Sequence, residues 1–218
     1  MIIIALSDIH GNLTYLADIA SQLADADLVV ISGDITNFSS RPVAAQIIND
    51  ISKHNSNILA VTGNCDPAEV NEFLTDENIN LNCSCIEFEG ITFTGLSGGI
   101  TDQSQKSKAQ TLDEYFTGCL EALKPKIDSV NPLIFVSHQP AQATEIDSSG
   151  LGSRAIREFI EINQPILALS GHVHEASGKD IIGETTLVNP GPFCEGSYAK
   201  IEITDQKVKS VQIKQARA

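Results

Sequence analysis

Apolar residues in this chain fall into short runs separated by polar, glycine-containing junctions. Residues 2–7 (IIIALS), 28–32 (LVVIS), 58–62 (ILAVT), 133–137 (LIFVS) and 166–170 (ILALS) are nearly continuous and rich in β-branched side chains. Runs of this kind predict strands buried on both faces, as in a parallel sheet covered by helices. Between them the period changes. Leu13, Leu16, Ala17, Ala20, Leu23 and Ala24 recur at helical spacing, with Asn12 placed to cap the first turn. Val43, Ile47, Ile48 and Ile51 predict a helix over 42–53, and further helices are expected over 111–123 and 151–162. Strand–helix–strand alternation implies right-handed crossovers. Residues 85–88 and 91–96 predict a hairpin turning at Glu89-Gly90, and the polar stretch 97–110 is expected to be a mobile loop. The tail alternates over 179–182, 185–188, 197–203 and 207–214, which predicts antiparallel strands. No repeat and no long Pro- or Ser-rich linker divides the chain, so residues 1–218 are expected to form one domain.

The polar residues just after the apolar runs form a second pattern. Asp8 and His10 follow the first run, Asp34 the second and Asn64 the third; His138 follows a later one, and His172 and His174 the last. In α/β sheets functional groups gather beyond the carboxyl ends of strands, so neighbouring strands would bring these side chains together. Asp oxygen, His nitrogen and an Asn carbonyl make a mixed donor set suited to Mn²⁺, Fe²⁺ or Zn²⁺ rather than Ca²⁺. The i,i+2 spacing in Asp8-x-His10 and His172-x-His174 turns both side chains to one side of an extended backbone. Seven such residues exceed one tetrahedral ion and suit two ions sharing a carboxylate. Four of the five histidines belong to the set; the fifth, His54, lies in a polar stretch and reads as solvated.

Composition narrows the chemistry. The 218 residues carry 14 Lys and Arg against 28 Asp and Glu, a formal charge of −14. That balance disfavours a nucleic-acid partner, because such binding depends on cationic contacts to phosphate. A small phosphate ester remains an acceptable substrate if metals supply the positive charge. No apolar run approaches the roughly 18 residues of a membrane helix. The opening residues lack a basic segment before Asp8, so a secretory signal is not expected and a cytoplasmic location is. Five cysteines, at 65, 83, 85, 119 and 194, then read as free thiols, with Cys83-Ser84-Cys85 serving packing. Arg41 and Arg154 are candidate phosphate clamps, although surface ion pairs are the commoner fate of arginine. Homo-oligomerisation stays open.

Asp8-x-His10, Gly33-Asp34, Gly63-Asn64, His138 and Gly171-His172-x-His174 stand in the order and at the strand ends of the calcineurin-like metallophosphoesterases, which the chain resembles from residue 1 to about 192. The resemblance implies a four-layer α-β-β-α sandwich with two divalent metals at the sheet ends. Asp8, His10 and His174 would hold one metal, and Asn64, His138 and His172 the other, with Asp34 bridging. It implies a phosphodiesterase or phosphomonoesterase that works by attack of a metal-bridging hydroxide. Asn64 and His138 would then be catalytic as well as ligands, Asn64 and Asn12 would touch substrate, and Asn189-Pro190-Gly191 resembles a turn often found near the site. A protein-interaction scaffold on the same fold is the alternative reading; a competent ligand at every assignable position favours catalysis.

One position departs from the pattern. Many relatives carry a histidine after the Gly-Asn pair to protonate the leaving group, and here Cys65 stands there, followed by Asp66. A thiol can donate a proton, but with a pKa near ~8.5 it serves less well than imidazole. Cys65 and Asp66 are therefore candidate catalytic groups, and buried packing is the competing role for Cys65.

Overall fold

The computed structural model describes residues 1–100, 106–127 and 132–217, with 106–109 described by their backbone. The elements run β1 (Ile2–Leu6), α1 (Ala20–Ala24), β2 (Leu28–Ser32), α2 (Arg41–Ser52), β3 (Ile58–Val61), α3 (Ala68–Asp76), β4 (Cys85–Phe88), β5 (Ile91–Leu96), α4 (Lys106–Leu123), β6 (Leu133–Ser137), α5 (Arg154–Asn163), β7 (Leu167–Leu169), β8 (Gly178–Ile182), β9 (Thr185–Asn189), β10 (Ser197–Thr204) and β11 (Lys207–Gln215). Five strands form one sheet in the order β11-β10-β1-β2-β3, and six form another in the order β4-β5-β6-β7-β9-β8. Parallel strands are β1, β2 and β3 in the first sheet and β5, β6, β7 and β9 in the second.

Side-chain alternation along the strands explains the layering. Ile3 and Ala5 of β1 and Val30 of β2 face the second sheet and meet Phe93, Ile134, Val136 and Leu169 in one core. Their neighbours Ile4, Leu6, Val29 and Ile31 face the other way, onto Leu23, Ile47, Ile51, Val70 and Phe73 of α1–α3. Phe135 and Ala168 of the second sheet likewise cover Phe116, Leu120, Ile156 and Phe159 of α4 and α5. Strands flanked on both faces need apolar residues at every position, which is why the runs in the sequence do not alternate. The two sheets are thus flanked by helices on their outer faces. No helix among the described residues is long and apolar enough to cross a membrane.

The structure departs from the sequence reading at several places. The helix expected over 13–24 forms only as a 3-10 turn at Ala17–Ile19 followed by the five-residue α1. Asn12 caps no helix: its Oδ1 accepts from the Thr14 backbone N–H and hydroxyl, closing a tight local turn. The helix expected over 111–123 starts at Lys106, inside the stretch expected to be loop; of the mobile loop 97–110, residues 101–105 lie outside the described residues. α5 starts where Ser153 Oγ accepts from Ile156 N at 3.1 Å, a side-chain cap the chain offers just before Arg154. The tail strands divide between the sheets: β8 and β9 form a hairpin on the second, and β10 and β11 one on the first. Cys83 and Cys119 are not free thiols; they are joined, with Cα atoms 5.3 Å apart, while Cys65, Cys85 and Cys194 are free. A separation of 36 residues hides this pair in the sequence; α4 brings Cys119 beside the loop before β4 only in three dimensions.

Candidate metal centre

The chain turns sharply after β1 and β2, and these turns place the first candidate ligands. Asp8 N donates to Gly33 O at 3.1 Å, His10 N to Asp34 O at 2.9 Å and Gly11 N to Ile35 O at 3.0 Å, so the two loops run side by side. Asp8, His10, Asp34 and His172 all hold positive φ, at 51°, 47°, 49° and 71°. Left-handed backbone costs a non-glycine residue ~1–2 kcal/mol, and here it clusters where side chains must converge. The glycines before the ligands serve close approach. A Cβ on Gly33, which has φ +93°, would come within 2.5 Å of His138 Nδ1, and one on Gly63 would overlap Asp34 Oδ1.

All seven predicted side chains meet at the carboxyl ends of the two sheets. Asp8 Oδ1 lies 3.9 Å from His10 Nε2 and 3.3 Å from His174 Nε2. Asp34 Oδ2 lies 3.8 Å from His10 Nε2 and 3.4 Å from His138 Nε2, between the two histidine groups. On the far side His138 Nε2 is 3.1 Å from Asn64 Oδ1, and the His138 and His172 rings meet edge-on with centroids 4.9 Å apart. The donor atoms of Asp8, His10 and His174 lie within 4.8 Å of one another, as do those of Asp8, Asp34 and His138.

Spare atoms of Asp34, Asp8 and His138 are tied back to the protein. Asp34 Oδ1 accepts from Cys65 N at 2.7 Å, which leaves Oδ2 to face the cluster. Asp8 Oδ2 accepts from Ser7 Oγ at 2.6 Å and from His172 N at 3.1 Å. His138 Nδ1 meets Ser32 O at 2.9 Å; a carbonyl only accepts, so the proton sits on Nδ1 and Nε2 faces the cluster. Asp8 Oδ1, buried in the midst of these groups, has no hydrogen-bond partner. A buried carboxylate oxygen without a donor is costly, and a divalent cation is the partner that its neighbouring nitrogens suit. The residues therefore fit divalent metal at this cluster.

Electrostatics within the cluster follow from the same contacts. Burial works to raise the Asp8 carboxyl, but His174, His138 and the Ser7 hydroxyl outweigh it and hold it below the usual range. For Asp34 burial is likewise outweighed by His138 and by the Cys65 backbone, and its pKa falls far below normal. His138 resists its own burial because Asp34 and Asp8 face it, and it rises to about 9. His172 is lowered by burial and by the charge of His138.

The remaining predicted residues are placed differently. Burial, reinforced by Asp34 and Asp66, pushes the Cys65 thiol up to about 12, so it keeps its proton at neutral pH. Asp66 does not face the cluster as a reacting group. Its Oδ2 accepts from Gly63 N and Ile35 N, and its Oδ1 from the Thr36 backbone N–H and hydroxyl, so it braces the loops after β2 and β3. Asn12 spends one amide N–H on Cys194 O at 2.9 Å and its oxygen on Thr14, which leaves it one N–H for a further partner. Arg41 pairs with Asp76 at 2.7 Å and Arg154 with Glu158 at 3.5 Å, the surface role rather than a phosphate clamp. The Asn189-Pro190-Gly191 turn does adjoin the site: buried Asn189 donates to Val173 O at 2.8 Å, holding the backbone between His172 and His174.

Sequence reading missed a row of serines that close the strands. Ser7, Ser32, Ser137 and Ser170 are all buried, and Ser32 Oγ donates across the sheets to Ser170 O at 3.2 Å. The signal was present, since four of the apolar runs end in Ser before a ligand segment.

The chain is similar to known proteins in both sequence and fold. MJ1162 of Methanocaldococcus jannaschii is 30% identical over 201 residues, covering 88% of each chain. TT1561 of Thermus thermophilus shares the fold with a TM-score of 0.76 at 20% identity, over 99% of each chain. A 5'-nucleotidase from Candida albicans superposes with a TM-score of 0.61 at 15% identity, over 99% of this chain and 51% of that one. The family model for calcineurin-like phosphoesterases matches residues 1–176, a span that holds all seven clustered side chains. The chain belongs to the calcineurin-like phosphoesterase family.

Proposed function

We propose that this protein is a two-metal-dependent hydrolase of small phosphate esters, diesters or monoesters. The observation that carries the reading is Asp34 Oδ2, set between His10 on one side and His138 on the other at 3.8 and 3.4 Å. One carboxylate oxygen between two imidazole groups suits a shared ligand. Asp8, His10 and His174 would complete one metal position, and Asn64, His138 and His172 the other. Two divalent ions such as Mn²⁺, Fe²⁺ or Zn²⁺ would supply charge for the phosphoryl oxygens and a water acidic enough to ionise near neutral pH.

The chain's own groups do the positioning. Cys65 N holds Asp34 by one oxygen, and Ser32 O keeps the His138 proton on Nδ1. The acidic ligands leave a net positive pocket once two dications are held, which lets an acidic protein take an anionic ester. Cys65, raised to about 12, delivers a proton to a leaving oxygen poorly. Aryl esters, which leave without help, are therefore expected to turn over faster than alkyl esters, and Cys65→His is expected to narrow that ratio. An unchanged ratio would remove Cys65 from the leaving-group side.

The direct test is metal analysis of the purified protein, followed by hydrolysis of bis-p-nitrophenyl phosphate after chelation and after Mn²⁺ is restored. Loss and recovery of turnover are expected. Normal folding with no metal uptake and no metal-stimulated turnover would favour the non-catalytic scaffold.

A further inference from the structure

Gln139 directly follows His138 and is wholly buried. Its Oε1 accepts from Ile100 N at 2.7 Å and its Nε2 donates to Leu151 O at 2.6 Å. An N–H at one end and a carbonyl at the other leave the amide a single satisfied orientation. Held this way, residues 98–100 run across Asn64, His138 and His172. Gly98 N donates to Thr62 O at 2.9 Å. A Cβ on Gly99 would come 2.8 Å from Asn64 Oδ1 and 3.0 Å from His138 Cδ2, so the backbone lies directly on two of the proposed ligands. The next carbonyl, that of Ile100, sits 2.6 Å from His172 Nε2. A carbonyl oxygen only accepts, so the His172 proton is on Nε2 and the lone pair is on Nδ1.

We propose that Gln139 is a positioning residue: through the Ile100 carbonyl it fixes the tautomer and ring orientation of His172, so that Nδ1 is the nitrogen offered to the second metal. His138 receives the same service from Ser32 O, a carbonyl inside the sheet. His172 instead depends on a carbonyl from a loop, and Gln139 is the side chain that pins this loop's amide. The inference rests on the two-metal reading above. Partners of this kind orient ligating imidazoles, and their loss costs about 10–100-fold in metal affinity.

Gln139→Met keeps the volume and removes both hydrogen bonds. The full-length variant and wild type are titrated with Mn²⁺ by calorimetry, with bound metal counted per chain. The first metal is expected to bind both proteins alike, and the second to bind the variant about 10–100-fold more weakly. In the chelated proteins, long-range ¹⁵N–¹H spectra report the imidazole directly. An Nε2 proton on His172 shielded from solvent exchange is expected in wild type and lost in the variant. A wild-type proton on Nδ1, equal shielding in both proteins, or undiminished second-metal affinity would overturn the proposal, as would equal weakening of both metals. Wild type that takes up no metal would instead sink the two-metal reading, while the spectra of the chelated proteins still decide the role of Gln139.

Discussion

Asp8, Asp34, His138 and His172 are each held by a second contact that decides which of their atoms faces the cluster. Asp34 is the clearest case, with Oδ1 on Cys65 N and Oδ2 facing His10 and His138. Because one oxygen of Asp34 faces His10 on one side and His138 on the other, Asp34→Ala is expected to remove both metals and lower turnover by ~100-fold or more, beyond the loss of a single supporting partner. His10→Ala should lose one metal and retain more activity, and His54→Ala, in the turn after α2, should change little. Bound-metal counts beside turnover check the order; equal loss in Asp34→Ala and His10→Ala would count against bridging. Protonation gives a second residue-scale expectation. His138 rises to about 9 when folded, above the unfolded value near 6.5. A raised imidazole stabilises the folded state fully below pH ~6.5, and that contribution disappears as pH climbs through 9. The chelated protein should therefore melt at lower temperature at pH 9 than at pH 6.5. Metal must displace the same proton, so Mn²⁺ affinity should increase over that window. A calorimetric pH series on chelated and metal-loaded protein checks both signs.

At the scale of elements, strands were easier to read than helices. The runs at 28–32 and 133–137 coincide with β2 and β6 because a strand covered on both faces leaves an unbroken apolar signature. The periodicity of 13–24 misled because Leu13 and Leu16 pack on the core from the irregular stretch and turn before the 3-10 segment, which bury the same side chains without a long helix. Asn12 went with it, since its turn closes on Thr14 and its amide on Cys194. The Cys83–Cys119 bond is a contact between elements, joining α4 to the loop before β4. Three titratable thiols per unreduced chain in denaturant are expected, against five after reduction. Closing a loop of this length is worth about 3–4 kcal/mol on the chain-entropy account, so reduction should lower the denaturation midpoint. Five thiols without reductant would show the pair open in the isolated protein.

At the scale of the molecule, the candidate centre joins the two sheets. Asp8, His10, Asp34 and Asn64 follow strands of one sheet, and His138, His172 and His174 follow strands of the other. Metal bound there would bridge the seam between the sheets, where hydrogen bonds such as Ser32 to Ser170 already cross. Mn²⁺ at 100 times its dissociation constant should add about 2.7 kcal/mol per site if the unfolded chain does not bind it. Thermal melts with chelator and with excess Mn²⁺ read this as an increase in melting temperature, and no increase would mean the sheets gain nothing from metal.

The clustering of these seven residues was legible in the sequence because each sits at the end of an apolar run, and the carboxyl ends of neighbouring strands in a sheet must lie together. The layered α/β fold was legible for the same reason, with the family resemblance supplying the arrangement in two sheets. Residues whose role depends on a distant partner were not. Asp66 reads as an acid beside Cys65 until three backbone N–H groups and a hydroxyl are seen to fill its oxygens. Gln139 reads as the polar residue after a histidine until Ile100 and Leu151 close on its two ends. Sequence by itself determined which chemical groups stand at which strand ends, because an apolar run and the polar residues that follow it are local properties of the chain. Only the tertiary structure decided which atom of each group is spent on the scaffold and which is left to react, because a hydrogen bond across the fold leaves no periodic trace in the chain.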